Sequence, residues 1–157
     1  MATLFDELNS GFRSVEQNFT RPWGGYACID PNQLSQFIET YFPDLDNATS
    51  LDSSHELSPK ILFVLPGKRL SWQYHHRRSE IWRVVKGPIG IVRSTTDIEG
   101  PAVELPSGAL IEFAAGERHR LVGLSETGIV AELWQHLDPN NPSDEEDIVR
   151  LQDDFGR

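Results

Sequence analysis

The sequence predicts an all-β fold, a sandwich or small barrel, preceded by short helical additions. Eight short runs of β-type residues recur at regular spacing between residues 60 and 135, and turn signals separate them. The chain of 157 residues also carries 12 Gly and 10 Pro, a turn-rich composition foreign to helical bundles. A chain of this length builds one domain and can bury roughly 70% of its unfolded surface.

Each element follows from local pattern. Leu4, Phe5, Leu8, Phe12 and Val15 recur at helical spacing, so residues 1–20 are expected to form a short amphipathic helix or arm. RPWGGY (Arg21 to Tyr26) reads as a Pro/Gly turn carrying two aromatics. Pro31 followed by NQLSQFIETYF predicts a helix near 32–42, which Pro43 ends. Residues 44–59 are polar, acidic and rich in Ser and Asp, and read as a loop. Strands are expected at 60–65, 70–75, 80–86, 89–94, 102–105, 109–113, 118–123 and 128–135, with Gly- and Pro-bearing turns between them. The tail DPNNPSDEEDIVRLQDDFGR is a linker followed by a short acidic turn or helix. Residues 1–59 thus form an arm, helix and acidic loop packed on the barrel. Residues 60–157 form the barrel and its tail, all within one domain.

Composition narrows the function classes. A single cysteine, Cys28, excludes an intramolecular disulfide and any Cys-rich zinc module. The longest apolar run, Ile61 to Leu65, is far short of a membrane span, and the N-terminus MATLFDELNS has no secretory pattern. A soluble, cytoplasmic protein without a membrane partner is expected. The formal net charge is −10, yet the stretch from Lys60 to Arg93 holds eight basic residues against one acid, Glu80. An acidic protein is repelled by nucleic acid, whereas a local basic region in an acidic chain suits a compact anion such as a sugar phosphate.

The chemistry concentrates in PGKRLSWQYHHRRSEIWRVVKG (Pro66 to Gly87). Read as a hairpin, alternation places Gln73 and His75 on one face of the first strand and Glu80, Trp82 and Val84 on one face of the second. If these faces coincide, Gln73, His75 and Glu80 converge inside the barrel, and His119 joins them from beyond the Gly-centred turn of FAAGERHRL. An amide oxygen, two imidazoles and one carboxylate form a ligand set for a divalent ion of the Zn, Mn, Fe or Ni type. Its single negative charge leaves a loaded site net positive, able to attract an anion. A proton carrier is sought among Glu132, on a late strand with inward parity, His76 and Lys60. Trp72, Trp82 and Trp134 read as ordinary core packing.

At these residues the sequence resembles a known family. Pro66-Gly67, His75, Glu80 and Gly87 resemble the first cupin motif, and Gly108 through His119 the second. RPWGGY, PGKRLSWQYHHRRSEIW, AAGERHR and EEDIVRLQDDFGR together look like the C-terminal cupin domain of type II mannose-6-phosphate isomerases, a domain often fused to a guanylyltransferase in that family and expected here in a standalone form. The resemblance implies a double-stranded β-helix (jelly roll), a bound divalent metal, and aldose–ketose isomerisation of a phosphorylated sugar through a cis-enediol. It implies metal positions at Gln73, His75, Glu80 and His119. It implies functional basic positions at Lys60, Arg78, Arg150 and Arg157, with the phosphate held or the sugar steered by residues among Lys60, Arg69, Arg78, Arg120 and Arg150. Lys60 and Arg150 join Glu132 as the expected catalytic set. Cupins often pair, and an arm carrying Trp23 and Tyr26 could pack on a second copy, so a homodimer is expected.

Departures from the pattern are Ile81 for the family's His after Glu80, Ala114 for a Pro, Gly123 for an Asn, and an extra segment of roughly 27–57. Ile81 is expected to remove a polar group beside the metal. Two competing readings are a metal- or sugar-binding cupin without turnover and a cupin enzyme of another reaction type, such as a metal-dependent oxygenase. The basic stretch argues against the apolar substrate pocket that an oxygenase commonly needs.

Overall fold

The structure, a computed structural model, describes residues 3, 5–6, 11–45 and 54–156. All eight expected strands are present: β3 (Leu57–Val64), β4 (Trp72–His75), β5 (Arg78–Lys86), β6 (Ile89–Ser94), β7 (Val103–Leu105), β8 (Leu110–Phe113), β9 (Arg118–Gly123) and β10 (Gly128–His136). Three further strands join them: β1 (Ser14–Arg21), β2 (Gly24–Ile29) and β11 (Ile148–Gln152). They form two antiparallel sheets, a six-stranded one in the order β1-β2-β3-β10-β5-β8 and a five-stranded one in the order β11-β4-β9-β6-β7. This is the jelly roll of the cupin type. The helical addition is a 3-10 turn (Pro31–Gln33) running into α1 (Leu34–Tyr41). Asp30 caps the turn by accepting the Asn32 N–H, and Pro31 supplies a φ suited to a helix start.

Two expectations need correction, and the turn expected at RPWGGY is present and gains a strand on either side. Residues 14–21 form a strand, not a continuation of a helix, and Val15 is exposed on it. Its partner β2 supplies the backbone hydrogen bonds, which outweigh a helical spacing of five apolar residues. Thr3, Phe5 and Asp6 are helical, while Leu4 and Leu8 lie outside the described residues. Arg21 pairs with Gly24, so RPWGGY is the tip of the β1–β2 hairpin and the start of β2. Gly24 has φ +149, and a Cβ there would sit 1.9 Å from the Phe63 carbonyl oxygen, so only glycine lets β2 lie this close to β3. Finally, β11 arises where a turn or helix was expected; it pairs with β4, after a 3-10 turn at Glu145–Asp147.

Two apolar clusters flank the larger sheet. Between the sheets, Leu62, Val64, Trp82, Val84, Ile111, Phe113, Leu121 and Val130 are buried together. On the outer face, Ile61, Phe63, Ile81, Ile129, Ala131 and Leu133 pack with Phe37 of α1, Phe42, Phe5 and Phe12. The strict alternation of β3, β5 and β10 serves both clusters, so every residue of β10 is buried. Polar residues on the inner face lie toward one end of this core, where the site is built.

Candidate metal centre and anion cavity

Strand register brings the chemical residues together. In β10, Glu132 lies between Lys60 of β3 and Trp82 of β5, and Trp134 lies beside Glu80. Across the barrel, Gln73 of β4 is opposite both His119 of β9 and Arg150 of β11. Directly opposed residues share a face of the sheet, so these side chains line one interior. The turn before β9 is held by Gly116 at φ +80, whose N–H donates to the His75 carbonyl at 2.7 Å. That bond ties the backbone carrying His75 to the turn that delivers His119.

His75, Glu80 and His119 are each 2% exposed, and one ligand atom from each lies within 4.8 Å of the others. His75 Nε2 is 3.0 Å from Glu80 Oε1, and His119 Nε2 is 3.2 Å from Glu80 Oε2. His119 Nδ1 lies 3.0 Å from the Glu117 carbonyl oxygen, which can only accept, so Nδ1 carries the proton. In the neutral tautomer that this bond selects, His119 turns a bare Nε2, without a hydrogen-bond partner, toward a carboxylate oxygen. Two acceptors facing each other in a buried site call for a cation or proton between them. The donor set suits a borderline divalent ion, and the carbonyl holding Nδ1 is the kind of support that orients a metal-bound histidine. The residues present thus fit a metal ion.

The charge state agrees with this fit. Burial pushes His75 down to about 4, against the pull of Glu80, so the imidazole is neutral. Burial alone would raise the Glu80 carboxyl, but His75, Arg78 and His119 carry it well below the usual range. Arg78 is buried; its Nε donates to Glu80 Oε1 at 2.7 Å, and its Nη2 lies 3.1 Å from His75 Nε2. The second buried carboxyl behaves oppositely: burial, then the charge of Glu80, raises Glu132 to about 8. Trp82 Nε1 donates to both carboxylates, at 3.1 Å to Glu80 and 2.9 Å to Glu132.

A cavity of about 80 Å³ opens beside this group, lined by Lys60, Gln73, Arg78, Glu132, Trp134 and Arg150 among others. Two of its basic side chains are stacked on one aromatic. Lys60 Nζ lies 3.4 Å from the centre of the Trp134 ring and Arg78 Cζ lies 3.5 Å from it, reaching it from the two neighbouring strands. Ser71 donates to Gln73 Oε1 at 2.5 Å, so the amide oxygen faces a hydroxyl within the same cavity. A second cavity of about 290 Å³ lies beyond Lys60, Trp134 and Glu145, which line both. In it Ser58 Oγ is 2.7 Å from His136 Nε2. Ser143 N–H donates to His136 Nδ1, so neutral His136 carries its proton on Nε2 and donates to Ser58. This pair is therefore not a serine nucleophile with its base.

The sequence-predicted residues divide clearly. His75, Glu80 and His119 meet, and Lys60, Gln73, Arg78, Glu132 and Arg150 line the adjoining cavity. Arg69 and Arg120 do not. Arg69 is held by Asp154, and buried Arg120 by the Leu70 carbonyl, Glu99 and Gln152, on the opposite face of β9 from His119. His76 is exposed. Ile81 does not lie beside the metal set: alternation turns it from Glu80 to the outer face, where it is buried in the cluster containing Phe37 of α1. Trp82 and Trp134 are more than core packing, since one bridges two carboxyls and the other carries two cations. Trp23 lines the inner cavity of its own chain, as do Tyr26 and Arg21. Arg21 and Glu145 escaped the sequence reading; their nearest signals were RPWGGY and EEDIVR.

Residues 32–153 match the family described as mannose-6-phosphate isomerase C-terminal. The chain belongs to that family. Among curated relatives, the chain is 29% identical over 140 residues to the xanthan biosynthesis protein XanB of Xanthomonas campestris, covering 87% of this chain and 23% of XanB. It is 28% identical over 152 residues to a mannose-1-phosphate guanylyltransferase of Sinorhizobium fredii, covering 95% and 23% of the two chains. The chain thus spans about a quarter of the length of these relatives. Among solved structures, a variant of Bacillus subtilis oxalate decarboxylase OxdC superposes with TM-score 0.60 at 13% identity, over 89% of this chain and 32% of OxdC. The capsular polysaccharide assembling protein CapF of Staphylococcus aureus does so with TM-score 0.55 at 18% identity, over 87% and 32%. These two share the fold. No helix among the described residues is long and apolar enough to cross a membrane.

Proposed function

We propose that this chain is a metal-dependent sugar-phosphate isomerase that interconverts an aldose and a ketose, with mannose 6-phosphate as the first substrate to test. The observation that carries the reading is the placement of Glu132. Its carboxyl shares the interior with a His75–Glu80–His119 group fit for a divalent ion and with the cations Lys60, Arg78 and Arg150. Membership in the mannose-6-phosphate isomerase C-terminal family supports the same class.

The roles follow from the surroundings. Lys60 and Arg150 bind the phosphate and hold the reacting carbons against the deeper wall, a positioning contribution. Arg78, pinned by Glu80, adds positive potential behind them. Glu132 takes the proton from C2 and returns it to C1 through a cis-enediol, a transfer typically worth ~10²–10⁴-fold. It acts as base in its carboxylate form, which a divalent ion beside Glu80 would favour by offsetting the charge that raises Glu132, while Glu80 stays ionised; two carboxyls with opposed environments divide the labour. His75, Glu80 and His119, with Gln73 beside them, would hold the ion, whose contribution is Lewis-acid polarisation of the C1 and C2 oxygens. Trp82 orients both carboxyls by donating to each.

The test is an isomerase assay on mannose 6-phosphate and fructose 6-phosphate with metal-stripped and metal-reloaded protein. Activity should follow metal content and fall by at least ~100-fold in E132Q. A panel of phosphorylated aldoses giving no turnover in loaded protein overturns the reading. It would favour a second one, a metal- and sugar-binding module without turnover. One observation leans that way: the inner cavity of about 80 Å³ is too small for a sugar phosphate as it stands.

A further inference from the structure

We propose that Glu145 is a displaceable counter-ion: an incoming anionic group takes its place on Lys60 and, in doing so, joins the inner and outer cavities into one binding site. The inference rests on the reading of the inner cavity as an anion site, and it makes Glu145 the residue that sets selectivity for charged over neutral sugars.

Lys60 lies on a central strand with its side chain 9% exposed, stacked over Trp134. A buried ammonium is costly without an anion beside it, and the carboxylate found there belongs to Glu145, whose Oε1 accepts from Nζ at 3.1 Å. The two partners are placed very differently, since the Glu145 side chain is 58% exposed. It can rotate into water at little cost, whereas Lys60 cannot leave.

The backbone beneath Glu145 need not move. Asp144 caps the 3-10 turn through the N–H groups of Glu146 and Asp147, and Asp147 in turn accepts from the backbone of His76 and Arg77. Only a side chain has to swing.

Two further observations point to a ligand at this place. Neither cavity alone reaches the ~300–1,000 Å³ usual for small-molecule sites, but the two together do, and the Lys60–Glu145 pair beside Trp134 forms the wall between them. The indole N–H of Trp134 is also buried with no hydrogen-bond partner, on a residue that is 6% exposed and lines both cavities. An acceptor oxygen on a ligand spanning the joined site would satisfy it.

The experiment is calorimetric titration of the full chain with inorganic phosphate and, separately, with uncharged mannose. Wild type, E145Q, E145A and K60M are compared, each checked for a cooperative melt. Removing the competing carboxylate should tighten phosphate binding about tenfold in E145Q and in E145A, and leave mannose binding within about twofold. In the K60M background the gain from E145Q should vanish. Phosphate binding that is unchanged or weaker in both Glu145 variants overturns the proposal. Isomerase activity in wild type without this tightening would spare the proposed function and sink the displaceable carboxylate; tightening without any isomerase activity would do the reverse.

Discussion

Glu80 and Glu132 lie on neighbouring strands and accept hydrogen bonds from the same indole nitrogen, Trp82 Nε1, at 3.1 and 2.9 Å. Two buried carboxyls so close cannot both be ionised without a large penalty, and the protein resolves this by pushing them apart. Glu80 is held ionised by His75, Arg78 and His119 beside it, and burial and the charge of Glu80 raise Glu132 to about 8. W82F removes the shared donor and leaves two buried acceptors short of a partner. A destabilisation of about 2–4 kcal/mol is expected in urea unfolding, more than the loss of ring volume alone would cause.

Metal should bind in proportion to the bare imidazole. With one equivalent of Zn²⁺ or Mn²⁺, the melting temperature of chelator-stripped protein should rise, because an ion that binds the folded state stabilises it by mass action. H119A should lose this rise and retain less than one tenth of the bound metal measured by elemental analysis. An equal rise in H119A would show that the ion sits elsewhere.

Asp147 predicts an acid limb in the stability curve. Its side chain is 3% exposed and accepts from Ser143 Oγ at 2.7 Å, Arg77 N at 3.0 Å and His76 N at 3.1 Å. Burial alone would raise its pKa, but these bonds and the Arg77 charge outweigh it and set the group below 3.8. A depressed folded-state value means that the stabilisation is complete above the unfolded value and is lost as pH falls through the folded one. Between about pH 5 and pH 2, wild type should lose stability that D147N never had. At neutral pH, D147A should cost about 3 kcal/mol, because two backbone N–H groups lose their acceptor. Chemical unfolding at a series of pH values measures both.

Ile81 gives a test that separates the faces of β5. Restoring the histidine of the family pattern, Ile81→His, puts a polar ring into the cluster with Phe37 and Leu133. A loss of about 2–4 kcal/mol is expected, with metal affinity unchanged within about twofold. A change in metal affinity without loss of stability would place the residue beside the ion after all.

These outcomes bear on how far the sequence could be read. The strands between 60 and 135 were legible because apolar alternation and Gly or Pro turns recur there, whereas the first three residues of β3, Leu57 to Pro59, fall in the segment read as a loop. The same alternation located His75, Glu80 and Glu132 on the inner face, and the Gly116 turn flagged His119. β1 and β2 were not legible: β1 presents exposed Val15, Glu16 and Gln17 in turn, so it shows no period of two, and the hairpin joins the sheet only where β2 pairs with β3 across a gap in sequence. Charge counting could not tell Lys60, which enters the cavity, from Arg120, which binds the chain's own carbonyls. The Lys60–Glu145 pair joins residues 85 positions apart, and nothing local announces it. The extra segment at 27–57 explains Ile81 only once α1 is seen to pack on the outer face, where a histidine would otherwise meet water.

Arg120 ties the end of the chain to its middle. Its guanidinium, 1% exposed, is gripped by Gln152 through both the backbone carbonyl and the side-chain amide, while β11 carries Arg150 into the cavity. Cutting the polypeptide before Ile148 would therefore take two acceptors from a buried guanidinium, leaving it to Glu99 and the Leu70 carbonyl, as well as strip the pocket of a cation. Affinity tags and fusion partners are better joined ahead of Phe5 or through a spacer beyond Phe155, since an insert between Asp147 and Gln152 would loosen both ends of that tether at once.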